Sequence, residues 1–491
     1  MTVGSEQLRY WIDMALECVR RDHTPALSMG DQRGPFLTAR AMGMALAALR
    51  DANAIASSAP ASTRLLNVAA PAALAGANPI LAAAAACHQT LLLRYPKQSR
   101  MLSPAWDHWR ELHASGAGTS GEVAGRAFGS AVHAFGIDDP AIAAMQTYTP
   151  APAPPYAPYA HIAPPNEPGQ RYAGSAWGNA KPLFATRVPF PPPPGRINAS
   201  TVNSTAHYTS DFDRVAEKGI DQRSGGTRTL DEETIGIFWG YDGPPELGTP
   251  PRLYMQVVLT VLDAIEARTP GALNSSQELD AVAGAAVALA DAGIDAWHYK
   301  YSPEHMMWRP VIGIRETPVG VTKIPGWLPL GRPDTNNFGQ SLTPDFPAYP
   351  SGHATFGAAA FHFLRLYLVD KGLAQFAADG KDNVHFDFVS DEYNGRNIDP
   401  RTQLPREHIT KNYPSLWQAI KDNSLSRVYL GVHWQFDGIT MKGGDPDGVF
   451  GEPDGPDDLG KIGGVWLGGQ IATQVAKRLG VGQNTVVKSK I

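Results

Sequence analysis

The chain has 491 residues, a formal net charge of −5 and two cysteines, Cys18 and Cys87. That length can bury a large core in one elaborate unit or two fused ones. The acidic balance, with basic clusters no longer than Arg20-Arg21, carries no nucleic-acid footprint, and two cysteines without ligand spacing give neither a disulfide framework nor a thiolate metal site.

In chain order, residues 1–21 read as an amphipathic helix carrying Glu6, Arg9, Asp13 and Glu17, so no secretory signal is visible. The expected location is cytoplasmic, or exported without a visible signal peptide, and the protein is expected to be soluble. Helical patterning continues at 38–56 and 122–135, making residues 1–148 an N-terminal helical region. The uncharged run 65–87 is long enough to span a bilayer, but it is rich in alanine and divided by Pro71 and Pro79. Buried helical hairpin segments fit it better than a membrane span.

Residues 149–198 form a proline-rich connecting segment, read as an extended strap wrapping the surface rather than as a recognition motif. Short polar or β-like pieces follow around 187–211. The C-terminal region, 199–491, is expected to hold helices at 231–238, 251–269, 278–301, 353–371, 413–432 and 463–479. Between the last two, the Gly/Pro/Asp loop 442–460 lacks the spacing of an EF-hand and reads as a solvated acidic loop.

Three short stretches carry the chemistry. Lys300 precedes Arg309-Pro310; Pro350-Ser351-Gly352-His353 opens an alanine-rich helix; Ser426-Arg427 is followed by His433 and Asp437. The two arginines offer planar forks to anion oxygens, and the lysine adds a compact charge. Free N–H groups and the positive end of the helix dipole at Ser351, with Gly352 allowing close approach, complete a cradle for a tetrahedral oxyanion. Three fixed cations match a dianion or trianion. On a helix, His433 and Asp437 would share a face, so the carboxylate would fix the imidazole tautomer and leave the other ring nitrogen for the anion centre. Each stretch alone is an ordinary turn, cap or ion pair; their order and spacing together make the signature.

These residues resemble the signature shared by the vanadium-dependent haloperoxidases and the type 2 phosphatidic acid phosphatase (bacterial acid phosphatase) superfamily. Asp291-Ala292-Gly293-Ile294 and Trp308-Arg309-Pro310-Val311 look like the soluble bacterial chloroperoxidase branch, and a looser likeness extends over residues 230–480. The spacing from Lys300 to Arg309 is two residues longer than the family's, and Ser302-Pro303-Glu304 suggests a helix break that absorbs the excess.

The resemblance implies a mainly α fold, two four-helix bundles with long loops, the proline-rich strap and little β structure. It implies a vanadate (V5+) cofactor held by Lys300, Arg309, Ser351, Gly352 and Arg427, with His433 as the vanadium ligand, Asp437 orienting it, and His353 as acid or base; Lys300 would join the two histidines in catalysis. Trp297 and Phe346 resemble the aromatic wall of the halide and substrate pocket. The expected partners are hydrogen peroxide, a halide (bromide, with chloride as a further option) and a small organic acceptor, with phosphate as competitor, no nucleic acid or membrane, and homodimerisation left open. No haem, flavin or nicotinamide is expected. The alternatives are a soluble acid phosphatase working through a phosphohistidine at His433, and a non-catalytic oxyanion-binding protein.

Overall fold

The computed structural model describes residues 3–140, 160–193, 205–221, 225–316, 323–339, 342–442 and 451–491. Among them the chain is mainly helical. The N-terminal elements are α1 (Val3–Asp22), β1 (His23–Thr24), β2 (Ser28–Met29), α2 (Pro35–Ala56), α3 (Pro79–Arg94), α4 (Ser99–Ala114) and α5 (Ser120–Phe135). After the strap come α6 (Thr205–Lys218), α7 (Leu230–Phe238), α8 (Pro250–Arg268), α9 (Ser275–Tyr301), α10 (Pro310–Glu316) and α11 (Gly352–Asp370). An antiparallel hairpin of β3 (Phe386–Asn394) and β4 (His408–Tyr413) precedes α12 (Leu416–Tyr429), α13 (Gly464–Arg478) and α14 (Gln483–Ser489).

Local chemistry explains where these helices start. Asn78 caps α3 with Pro79 at its first position, and capping boxes open α7 (Thr229 with Glu232) and α9 (Asn274 with Gln277). Ser351 and Ser415 cap α11 and α12 through the N–H groups of Ala354 and Gln418. Packing then depends on small residues. α11 lies against α8, α9, α12 and α13, while α9 also packs on α2, which packs on α3 and α5. A Cβ on Gly284 of α9 would stand 2.0 Å from the Phe363 ring of α11, and one on Gly468 of α13 would stand 2.2 Å from the Thr355 carbonyl oxygen. One continuous apolar core runs from Leu8 on α1 to Val486 on α14.

Over 160–193 the chain has neither α-helix nor strand, only hydrogen-bonded turns around 164–170 and 174–177 and a 3-10 turn at Trp177–Asn179; the remaining residues of the strap lie outside the described ones. Asp291 accepts from the N–H groups of Leu183, Phe184 and Ala185, and Asp295, one turn along α9, accepts from Val188. Two carboxylates on one helix face thus satisfy backbone donors that have no ladder partner.

Three expectations need correction, and a fourth lies partly outside the described residues. The run 65–87 is not a helical hairpin: only its second half is helical, in α3, because the prolines and Gly76 keep 65–78 irregular. The 187–211 stretch ends in helix α6 rather than β-like pieces, its apolar Tyr208, Phe212 and Val215 falling at helical spacing on the buried side. The segment 413–432 begins in strand β4 and turns helical only at Leu416, and it stops at Tyr429. In the acidic loop 442–460, residues 443–450, including Asp445 and Asp447, lie outside the described ones. No helix among the described residues is long and apolar enough to cross a membrane.

Candidate oxyanion site

The three stretches converge although more than 120 residues separate Arg309 from His433. Helix α9 ends at Tyr301, and the N–H groups of His305 and Met306 both bond the Ser302 carbonyl in a turn that absorbs the longer spacing. Lys300, Arg309, Ser351 and Arg427 are wholly buried, and His353, His433 and Asp437 nearly so.

Arg309 is held on three sides. Its Nε donates to the Phe346 carbonyl at 2.9 Å, and its Nη1 donates to the Val432 carbonyl at 2.7 Å and to His433 Nε2 at 2.8 Å. Its guanidinium stacks 5.1 Å from the Phe346 ring centroid. His433 Nδ1 faces Asp437 Oδ2 at 2.8 Å, which fixes the Nδ1–H tautomer and leaves the Nε2 lone pair for an incoming group, with Arg309 as its competitor. The expected helix does not carry this pair: α12 has ended, Gly431 turns the chain with φ +70°, and Asp437 also accepts the Trp434 N–H in a 3-10 turn.

Lys300 stands in the cluster, but its ammonium donates to the carbonyls of Pro347, Ala348 and Pro350, at 2.8, 3.1 and 2.6 Å. It therefore ties down the turn that leads into Ser351. The Ser351 N–H donates to the Asp437 carbonyl at 2.8 Å, joining the second and third stretches directly. Trp297 and Phe346 meet with ring centroids 4.8 Å apart, and Lys300 Nζ lies 5.5 and 5.1 Å from their rings.

Sequence reasoning missed Asp242. Its carboxylate pairs with Arg427, Nη1 to Oδ2 at 2.9 Å and Nη2 to Oδ1 at 3.2 Å, and lies 3.8 Å from His353 Nε2. It follows α7 in a Gly/Pro turn 185 residues before Arg427, so no local spacing links the two. It also revises the charge balance: with Asp242 offsetting one of the three cations, the site favours an anion of lower charge than three free cations would.

Burial dominates the titration here. It pushes the His353 imidazole down to about 3, helped by Arg427, so the ring is neutral at physiological pH. Burial and Arg309 likewise hold Lys300 and His433 well below their ordinary ranges. Burial raises the Asp242 carboxyl, but Arg427, His353 and Arg332 together outweigh it and bring the group below the usual carboxylate range.

The donor set fits a bound oxyanion. Arg309 Nη2, Arg427 Nε and His353 Nε2 are buried without hydrogen-bond partners, and an unpaired buried donor is costly unless an acceptor meets it. Among the described residues no cluster of His, Cys, Asp and Glu could hold a bare metal ion. A cavity of about 600 Å3, lined by Asp242, Trp297, Arg332, Phe346, Gly352 and His353 among others, leads to this cluster.

Residues 280–442 match the family model of the VCPO second helical-bundle domain. The chain is 33% identical over 357 residues to the vanadium chloroperoxidase of Curvularia inaequalis, an alignment taking in 63% of this chain and 58% of that protein. The chain thus spans less than two thirds of that curated relative. Among solved structures, a bacterial vanadium-dependent iodoperoxidase superposes with a TM-score of 0.64 at 18% identity, covering 96% of both chains. A holo-type bacterial vanadium-dependent chloroperoxidase superposes with a TM-score of 0.55 at 16% identity, again over 96% of both. These two likenesses carry the fold.

Proposed function

We propose that this chain, related in sequence and fold to the vanadium haloperoxidases, is a vanadate-dependent haloperoxidase that uses hydrogen peroxide to oxidise halide and delivers the oxidised halogen to an organic acceptor. The observation that carries the reading is the convergence of buried, unpartnered donors from Arg309 and Arg427 and the unpartnered ring nitrogen of His353 around His433 Nε2, at the end of an aromatic-walled cavity.

Arg309, Arg427, the Ser351 hydroxyl and the Gly352 amide would hold vanadate, with His433 Nε2 as its ligand. Bound there, vanadate supplies Lewis-acid activation of peroxide without a change of oxidation state. Asp437 holds His433 in the Nδ1–H tautomer, which keeps Nε2 basic. His353, neutral through burial, can take a proton from hydrogen peroxide at Nε2, and Asp242 at 3.8 Å stabilises the imidazolium so formed. Lys300 and Arg309 set the positive potential along the cavity's aromatic wall, which draws in a halide. Bromide is the halide we assign first; chloride would follow from the Trp297 and Phe346 wall.

The test is monochlorodimedone halogenation by metal-free protein with hydrogen peroxide, before and after orthovanadate, with phosphate as competitor. Activity that appears with vanadate, falls with phosphate and is lost in His433→Ala is expected. Hydrolysis of a phosphomonoester that vanadate inhibits, without halogenation, would make the chain an acid phosphatase acting through His433. Binding of oxyanion with neither activity would leave a binding protein.

A further inference from the structure

His161 belongs to the strap, outside the three stretches, and is wholly buried. Neither of its ring nitrogens has a hydrogen-bond partner. Apart from His353, whose Nε2 is also unpartnered, the other buried histidines differ: His23, His88, His305, His362 and His433 each engage at least one ring nitrogen, with Val19, Leu102, Phe190, Arg365 and Asp437 respectively. Two polar atoms enclosed without partners are rare in a folded core and point to a ligand that meets them.

Its surroundings identify the ligand's charge. Burial holds the imidazole neutral, and the charges that press on it are Arg309 and Lys300, both cations of the oxyanion cradle. The Tyr172 ring holds it edge to face, with centroids 5.2 Å apart. The strap segment that carries it is fastened to the aromatic wall: Trp297 Nε1 and the Tyr301 hydroxyl both donate to the Ala173 carbonyl, at 3.0 and 2.8 Å. On the other side, Ala173 N–H donates to the Asp345 carbonyl and Gln170 Nε2 to that of Thr343, on the loop that supplies Phe346. His161 is thus packed on Tyr172, next to the strap residue that is tied to the aromatic wall, and lies within electrostatic reach of Arg309 and Lys300, where an anion accepting from its N–H would be favoured.

We propose that His161 is a further anion-contacting residue of this site, its imidazole N–H donating to the small inorganic anion, oxyanion or halide, held beside Lys300 and Arg309. The proposal rests on the oxyanion reading of the site and does not depend on whether the enzyme is a haloperoxidase or a phosphatase.

The experiment measures orthovanadate and phosphate affinity by calorimetry, and bromide KM and kcat with vanadate present, on the full chain as wild type, His161→Phe and His161→Gln. The phenyl ring keeps the packing without a donor, whereas the amide restores one. Phe is expected to weaken oxyanion binding about ten- to a hundredfold with Gln recovering most of it, or, if the halide is the anion held, to raise bromide KM with kcat and oxyanion affinity unchanged. If the Phe variant does not fold, His161→Gln against His161→Leu makes the same comparison. Unchanged affinity and KM in a folded donor-free variant would overturn the proposal, as would equal losses in the donor-bearing and donor-free variants, which would mark a packing role. Wild-type protein that binds neither vanadate nor phosphate would sink the oxyanion reading itself, and this proposal with it.

Discussion

Arg427 shares its charge with Asp242, and a buried pair broken on one side is costly because the remaining ion is left uncompensated. Asp242→Asn is therefore expected to destabilise the anion-free protein by about 3 kcal/mol. Phosphate or orthovanadate should restore part of that loss, so calorimetry should find a larger anion-induced rise in Tm for the variant than for wild type. Equal rises would mean that Arg427 does not face the anion. A second residue, His88 on α3, donates from Nε2 to the Leu102 carbonyl at 3.2 Å and accepts from Arg126 at 3.1 Å on Nδ1. Burial, with Arg126, pushes it down to about 4. Its folded value lies below the unfolded one, so its contribution is complete above about pH 6.5 and is lost as pH falls through 4. Between pH 7 and 4.5 that loss is about 2–3 kcal/mol. His88→Phe, which keeps the stack on Trp106, should show a correspondingly smaller drop in urea-unfolding free energy over that interval.

At the scale of elements, the site depends on how closely α13 approaches the first turn of α11. Gly464 and Gly468 lie against the backbone of Ser351, Thr355 and Ala359. Gly468→Ala adds helix propensity of about 1 kcal/mol, but its methyl would meet backbone, which cannot move aside as a side chain could. Overpacking of this kind costs about 1–3 kcal/mol. A lower Tm and weaker oxyanion binding are expected together, since the displaced turn carries Ser351 and His353. A variant with a lower Tm and wild-type vanadate affinity would show that the α11–α13 contact does not set the cradle. The same element-level reasoning explains Lys300: with α9 ending at Tyr301, its ammonium turns onto the 347–350 carbonyls, and it positions the Ser351 turn as well as adding charge.

Across the whole molecule, α2 is buried along nearly its full length and joins the N-terminal helices to α9. We propose that residues 1–148 and 199–491, although distinct in sequence texture, unfold as one unit. Urea unfolding followed by tryptophan fluorescence and by far-UV circular dichroism should then give coincident transitions. Two separated transitions would show that the N-terminal helices form an independent unit.

The sequence by itself determined the helical class and the span of α7, α8, α9, α11 and α13 to within a few residues, and it named the residues we propose as the cradle. Those features are local: caps, apolar periodicity and short motifs act over one or two turns. Tertiary structure alone decided that Asp242 answers Arg427, that the His433–Asp437 pair forms in a turn beyond α12, that Lys300 bonds the Ser351 turn, and that His161 is enclosed with both ring nitrogens unpartnered. Each of these depends on long-range contacts, where a partner is chosen by burial and by which backbone groups lack ladder partners, and neither property is written in the spacing of neighbouring residues.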